Sequence, residues 1–447
     1  MKVLLIEPPS GLDLLDRFFL HEPLGLEYLG GGLLADGHEV ELLDMRFEPD
    51  VAAACGRFRP DVVGLTGYTV QARLIKELAA TVKGLEPGVR VVVGGHHATV
   101  RPADFDKPFV DAVVVGEGVG PLRELVEAWA GGRETPSVPG AALPGRMGSF
   151  VPRRHPELDS LPLPARSLTA RHRANYFCQW MKPLATLRTS LGCVSRCSFC
   201  ALWSITDGRY LRRTAEAVLS ELAGLSEPNV FFCDDEAMCD ARRMEHLARM
   251  IREAGIRKRY FLQARVDTIA RHPEVFARWR EIGLEQVFIG METFSDDRLT
   301  ELGKGITVEQ QAHAVKILHD LGVVAFGSFV VDPASTRQDF RRLASHVSSL
   351  GLRYAMFSVL TPLPGTELYA EQEARLTTRD TDLFDLTHAV LPTELPLEEF
   401  YAEYARLFRA SIPWHRKLPV LAKYGLGGMF RELRWMGPAI GRLGRGH

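Results

Sequence analysis

Short runs that are apolar nearly throughout recur along this chain, with helix-patterned stretches between them. Over residues 1–135 the runs are "KVLLI", "HEVELLD", "DVVGLTG", "VRVVVGGHH" and "DAVVVGEG". Between and after them come "LGLEYLGGGLLADG", "QARLIKELAATVKGL" and "PLRELVEAWAGG". A strand with one wet face alternates apolar and polar residues; these runs do not. They therefore belong in a parallel sheet covered on both faces by its connecting helices, a doubly wound, Rossmann-like or flavodoxin-like domain. Such sheets bind ligands outside the carboxyl ends of their strands. Those ends read Glu7-Pro8-Pro9-Ser10, Thr66-Gly67-Tyr68 and Gly94-Gly95-His96-His97. No G-x-G-x-x-G follows the first strand, which argues against a nicotinamide site.

Residues 136–185 are rich in proline and glycine and show little periodicity. They read as a linker with one short hairpin. A second alternation fills 186–371, with strands "TLRTSL", "NVFFCDD", "RYFLQARV", "QVFIGMET", "VAFGSFVVD" and "YAMFSVLTPL". Helices such as "TAEAVLSELAGL" and "EVFARWREIG" separate them. Six consecutive βα units indicate a partial (β/α)6 barrel of TIM type, whose site lies at the carboxyl ends of its strands. Residues 372–447 are mainly helical in pattern. Their basic and apolar last stretch reads as a docking helix with a frayed tail, in preference to a membrane-surface segment.

Composition narrows the class further. With 46% apolar and 25% charged residues the chain is an ordinary globular one, and a net charge of −2 offers no basic surface for nucleic acid. The opening "MKVLLIEPPS" has an apolar run too short for a secretory leader and reads as a first strand. No run reaches the apolar length of a membrane-spanning helix. The seven cysteines are an odd number, and three crowd into "TSLGCVSRCSFCALW" at Cys193, Cys197 and Cys200. That pattern belongs to a reduced, cytoplasmic protein with a metal site, not to a disulfide framework.

Three thiolates can hold three irons of a four-iron cluster and leave the fourth open to a ligand. A closed zinc or closed cluster, with Cys178, Cys233 or His172 as fourth ligand, is the alternative. The spacing C-x3-C-x2-C, with Phe199 before the last cysteine and a barrel strand ahead of the first, resembles the motif of the radical S-adenosylmethionine (SAM) superfamily. The resemblance implies a [4Fe-4S] cluster on Cys193, Cys197 and Cys200, with SAM on the open iron. The cluster's electron cleaves SAM to a 5′-deoxyadenosyl radical. The following strand ends supply groups suited to SAM: Phe199, Asp234, Gln263, Arg265, Glu292 and Thr361. Arg265 can pair bidentately with a carboxylate, while Asp234 and Glu292 can accept from an ammonium or a ribose.

An open α/β domain ahead of such a barrel resembles the cobalamin-binding domain of B12-dependent radical SAM enzymes, over about residues 1–375. The loops that match that family's corrin contacts carry Pro9 and Ser10; Thr66, Gly67, Tyr68 and Thr69; Gly94, Gly95, His96 and His97; and Gly116 and Glu117. The Asp-x-His-x-x-Gly motif that gives cobalt a histidine is absent from the first loop, so the resemblance implies cobalamin without a protein histidine below cobalt. Tyr68 is the side chain expected to approach that face, with His96 and His97 as alternatives. The family reading is a cobalamin-dependent methyltransferase acting on an unactivated carbon of a small molecule. It would be served by an external electron donor of flavodoxin or ferredoxin type. A cyclase or rearrangement enzyme with the same cofactors, and a non-catalytic cobalamin-binding protein, are the alternatives.

Overall fold

The computed structural model describes residues 1–11 and 18–411, and side chains to residue 408. The N-terminal unit is a six-stranded sheet. Its strands are β1 (Lys2–Glu7), β2 (Glu39–Asp44), β3 (Val62–Thr66), β4 (Arg90–Gly94), β5 (Ala112–Val114) and β6 (Ala141–Ala142). Their order is β2-β1-β3-β4-β5-β6. The first five pair in parallel and β6 runs antiparallel on β5. The uninterrupted apolar runs find the two covers they require. Val63, Leu65, Val91 and Val93 join one core, while Val3, Leu5, Val62 and Val92 join the opposite one.

The second unit has strands β7 (Leu184–Leu187), β8 (Asn229–Phe232), β9 (Arg259–Ala264), β10 (Leu284–Glu292), β11 (Val324–Val331) and β12 (Tyr354–Val359). They are parallel and lie in sequence order, and β7 does not pair with β12. This is the partial (β/α)6 barrel. Caps place its helices: Thr214, Asp240, Thr307 and Thr336 each accept from a backbone N–H of the first turn. The seam beside β7 is closed by protein from elsewhere. Phe19–Leu20 pairs with Phe177–Cys178, Phe19 stacks on Phe326, and Trp180 lies against Tyr354.

Three expectations need correction. The linker at 136–185 is not a passive spacer: Ala141–Ala142 extends the first sheet beyond residue 135, and 3-10 turns carry arginines between the domains. The anticipated hairpin shrinks to the bridge between Cys178 and Met181. The mainly helical C-terminal region holds one longer helix among its described residues, Leu397–Ser411, after an irregular stretch with short turns. The basic, apolar tail lies outside the described residues. A helix at Val51–Phe58, capped by Asp50, escaped the reading because it is short and alanine-rich. No helix among the described residues is long and apolar enough to cross a membrane.

Candidate active site

The carboxyl ends of the two sheets face one another, and Tyr68 reports it. The side chain is 54% exposed, yet its phenol is pushed up to about 12, by desolvation first and then by the charges of Glu7, Cys233 and Asp235. Glu7 ends β1, whereas Cys233 and Asp235 follow β8. A half-exposed phenol that loses hydration and feels both strand ends stands in a walled cleft between the domains.

On the barrel side lies the cysteine loop. Cys193, Cys197 and Cys200 are free and partly buried. Burial pushes the Cys200 thiol up to about 11, with the Cys197, Asp235 and Cys193 charges adding to it. The loop is fixed by backbone bonds, Ser198 N to Leu302 O at 3.1 Å and Leu368 N to Ser198 O at 3.0 Å. Gly303, at φ +64°, lets that turn pass; a Cβ there would stand 3.0 Å from Arg196 O. Phe199 packs beside Leu302, Leu360 and Leu368.

Two cations face the sulfurs. The Arg265 pKa is raised by Asp267, Cys193 and Cys197, and that of Lys304 by Glu292 and Cys197, against burial in both cases. Arg265 donates from Nε to Asp267 (2.8 Å) and from Nη2 to Lys304 O (2.7 Å), and its backbone N–H goes to Glu236. Lys304 Nζ meets Glu292 Oε1 at 2.5 Å. Glu292 sits at φ +64°, beside a register shift in the β10–β11 pairing. That is a strained position for a residue with a Cβ, and such strain concentrates at sites. Gly290 makes room for the pair, since a Cβ there would lie 2.5 Å from Glu292 Oε1.

Among the described residues no group of three or more His, Cys, Asp or Glu side chains could hold a single metal ion. Nor does the closed site find its fourth ligand. Cys178 is buried in another cluster, Cys233 Sγ points to Leu187 O, and His172 is held by Glu48 and stacked on Phe47. The residues do fit an open cluster: three free thiols on one short loop, which metal would deprotonate, with cations beside them. Asp234 is reassigned. It is fully buried and its carboxylate accepts from Thr189 N (2.6 Å), Thr189 Oγ1 and Ser190 Oγ (2.9 Å), so it anchors the chain before the cysteines. Thr361 is buried and donates to Val359 O at 2.9 Å. Gln263 lies on the strand end beside Ala237.

On the N-terminal side the glycine loops form a cradle. Gly95 has φ +91°, and a Cβ there would stand 2.5 Å from Thr66 Oγ1 and 2.8 Å from Gly67 N. Gly116, at φ +82°, faces open space, while a Cβ on Gly94 would touch Val114 at 3.7 Å. His96 lies 4.9 Å from Tyr68, ring to ring. A cofactor with a wide ring and a long tail fits such loops. Gln71 was missed by sequence reading, and it ties two of them together. Buried at 2% exposure, it donates to Pro9 O (2.7 Å) and accepts from Tyr68 N (2.8 Å). Its signal was a glutamine three residues after a loop residue, as in a capping box.

Two expectations fail here. His97 is fully buried between Thr69 Oγ1 (3.1 Å) and Asp104 (3.0 Å), so it holds the loop and does not face the cleft. Glu117 caps the helix Val119–Ala130, accepting from Val119 N at 2.8 Å. Ser10 is half-buried in the first loop.

A doubly wound domain and a partial barrel meet strand ends to strand ends over a cysteine triad, the arrangement of a cofactor-dependent enzyme. Comparison with known proteins agrees. The B12 binding domain family model matches residues 14–126 and the Radical SAM superfamily model matches residues 187–347. Hopanoid C-3 methylase of Methylococcus capsulatus is 32% identical over 97% of this chain and 86% of its own length. An uncharacterized methyltransferase of Pyrococcus horikoshii is 31% identical over 83% of this chain and 82% of its own. The fold is that of the radical SAM methyltransferase TsrM of Kitasatospora setae, with a TM-score of 0.73 at 19% identity over 99% of both chains. The chain belongs to the cobalamin-dependent radical SAM enzymes and is a methyltransferase of that family. Its cofactors are cobalamin, SAM and a [4Fe-4S] cluster.

Proposed function

We propose that this methyltransferase places a methyl group on an unactivated carbon of a small molecule bound in the cleft between the sheets. The carrying observation is that cleft: Tyr68 lies between the glycine loops on one side and Cys233 and Asp235 on the other. When bound, the cluster supplies the electron that cleaves SAM to a hydrogen-abstracting radical, and cobalamin supplies the methyl carrier.

The chain's own residues bind, orient and exclude water. Cys193, Cys197 and Cys200 would hold the cluster. Arg265 and the Glu292–Lys304 pair would receive the polar end of SAM. Pro9, Thr66, Gly67, Gly94, Gly95 and Gly116 would form the cobalamin cradle, with Tyr68 and His96 at its rim. Tyr68 is a neutral phenol at physiological pH, and its raised pKa keeps it so in alkaline solution. An electron donor of flavodoxin or ferredoxin type completes the system.

A hopanoid or related polycyclic lipid is the first substrate to offer, because the relative named for that activity aligns with nearly the whole chain. The test uses reconstituted enzyme, a low-potential reductant, SAM trideuterated at its methyl group, and a hopanoid extract. The expected result is a product carrying one trideuteromethyl group on carbon, with 5′-deoxyadenosine formed in step. Deoxyadenosine with a cyclised or rearranged but unlabelled product would replace the methylation reading with the ring-forming one. No SAM cleavage at all would leave a cobalamin-binding protein.

A further inference from the structure

The inner wall of the barrel is polar on one side and apolar on the other. Along β11, Ala325, Phe329 and Val331 pack outward into the core under the helices, and along β12 Phe357 and Val359 do the same. A strand turns alternate residues to opposite faces. Phe326, Ser328 and Val330, then Tyr354, Met356 and Ser358, therefore face inward. In a closed barrel such residues fill the interior as a packed core. In this one all but Phe326 are half-buried, and two are small serines, so this part of the interior is not filled.

The space has an aromatic floor. Phe288, Phe326 and Tyr354 stand level on neighbouring strands. Phe288 meets Phe326 edge-on at 5.1 Å, Phe19 stacks on Phe326 at 5.9 Å, and Trp180 lies 5.2 Å from Tyr354. Two residues further along, the register runs Gly290, Ser328, Met356. The Glu292–Lys304 pair stands over Gly290. Val330 and Phe199 of the cysteine loop pack against the same cluster of Leu302, Leu360 and Leu368. The space thus opens beside the cysteine triad.

Its lining selects by charge. No inward side chain of β11 or β12 is charged, and Ser358 turns its hydroxyl to Phe329 O at 3.4 Å. Across the barrel, Leu187, Phe232 and Leu262 pack outward, so the inward positions are the polar Arg188, Cys233 and Gln263. Arg188 lies over the ring of Tyr28, 4.5 Å from its centroid. A carboxylate, phosphate or ammonium on the apolar side would lose its water and find no partner. A hydrocarbon body gains from the same burial.

We propose that the inner faces of β11 and β12 take the uncharged, apolar body of the methyl acceptor, and that Ser328 and Met356 set how far it enters and so which of its carbons lies beside the cluster. The proposal deepens the methylation reading and rests on it for the identity of the occupant.

The test uses dehydroergosterol, a fluorescent and uncharged polycycle, delivered from cyclodextrin to full-length protein loaded with cluster and cobalamin. Energy transfer from tryptophan reports its binding, without turnover. Wild type should bind it saturably. Ser328→Phe fills the space and Met356→Glu puts a charge in it, and each should weaken binding by about tenfold or more; the nearly isosteric Met356→Gln should weaken it by a few-fold. Iron and cobalamin content should match wild type in each variant. Where Ser328→Phe or Met356→Glu loses them through misfolding, Met356→Gln decides. Affinities within about twofold of wild type in the folded variants, or no saturable binding to wild type, would overturn the proposal. Lost binding in the variants, together with no methyl transfer to carbon by wild type, would overturn the proposed reaction and leave the apolar subsite standing.

Discussion

Two groups of residues stand where the halves of this molecule meet, and they are built on opposite plans. At the hinge, Glu22 and Glu27 of the N-terminal domain meet Arg166 and Arg173 of the connector and Glu221 and Glu227 of the barrel. Arg166 reaches Glu22 at 2.5 Å and Glu221 at 2.7 Å; Arg173 reaches Glu22 at 2.5 Å and also holds Glu227. Glu22 further accepts from the free edge of β7, through Thr186 N at 2.5 Å. At the facing strand ends, by contrast, Tyr68 and His96 stand exposed and Cys193, Cys197 and Cys200 are free. A network whose charges meet within the protein is architecture. Side chains left exposed where two sets of strand ends face one another are a site, free to take a ligand.

The sharpest way to separate the two groups is through sulfur. Cys193→Ala, Cys197→Ala or Cys200→Ala should each abolish the four-iron cluster on anaerobic reconstitution while the hinge, and so the fold, stays intact. Iron analysis beside circular dichroism decides it; full iron loading in any variant would remove the triad from the site.

The hinge can be broken next. Arg166→Met removes the cation shared by Glu22 and Glu221 in a buried setting, leaving Arg173 and Arg213 to hold them, and should cost about 3 kcal/mol of stability in urea unfolding. Tyr68→Phe, the counterpart in the cleft, should cost little, since that side chain is half exposed. Equal losses would erase the distinction between the two groups.

Arg265 tests the open side more gently. A charge-assisted bond to the SAM carboxylate is worth roughly 1.5–3 kcal/mol, about one to two decades of affinity. Arg265→Ala should therefore raise the SAM dissociation constant by about tenfold or more, with iron and cobalamin retained. A lowered melting temperature with unchanged SAM affinity would mean that its bond to Asp267 is its whole purpose.

The smallest effect is a pH slope. Burial, and then the Glu22 charge, push the Glu27 carboxyl up to about 7. Its folded-state pKa is therefore above its unfolded one, and the native state binds the extra proton. The stability it contributes is present below about pH 4.5 and is lost as pH rises to about 7. Glu27→Gln should flatten that part of the melting curve against pH; an unchanged slope would show that Glu27 is ionised throughout.

The reach of the sequence followed the range of the interactions. The eleven parallel strands of the two sheets were legible because burial on both faces forces apolar runs, and helices between them force parallel pairing. The cysteine spacing was legible because its ligands lie on one short loop. His97 and Glu117 were misread: each looked like a loop residue free for a ligand, but Asp104 and a helix start a few residues away had claimed them. Asp234 was misread from further off, its partners Thr189 and Ser190 lying more than forty residues back.

What the sequence determined alone was therefore periodic or local: two βα series, a thiol triad, glycine turns at strand ends. Only the tertiary structure decided that the two sets of strand ends face each other, that Glu22 closes the barrel's open edge, and that Arg188 meets Tyr28. Those contacts join residues well over a hundred positions apart. Such pairs leave no period and no motif in the chain, because either partner alone reads as an ordinary charged or aromatic residue until packing removes the water between them.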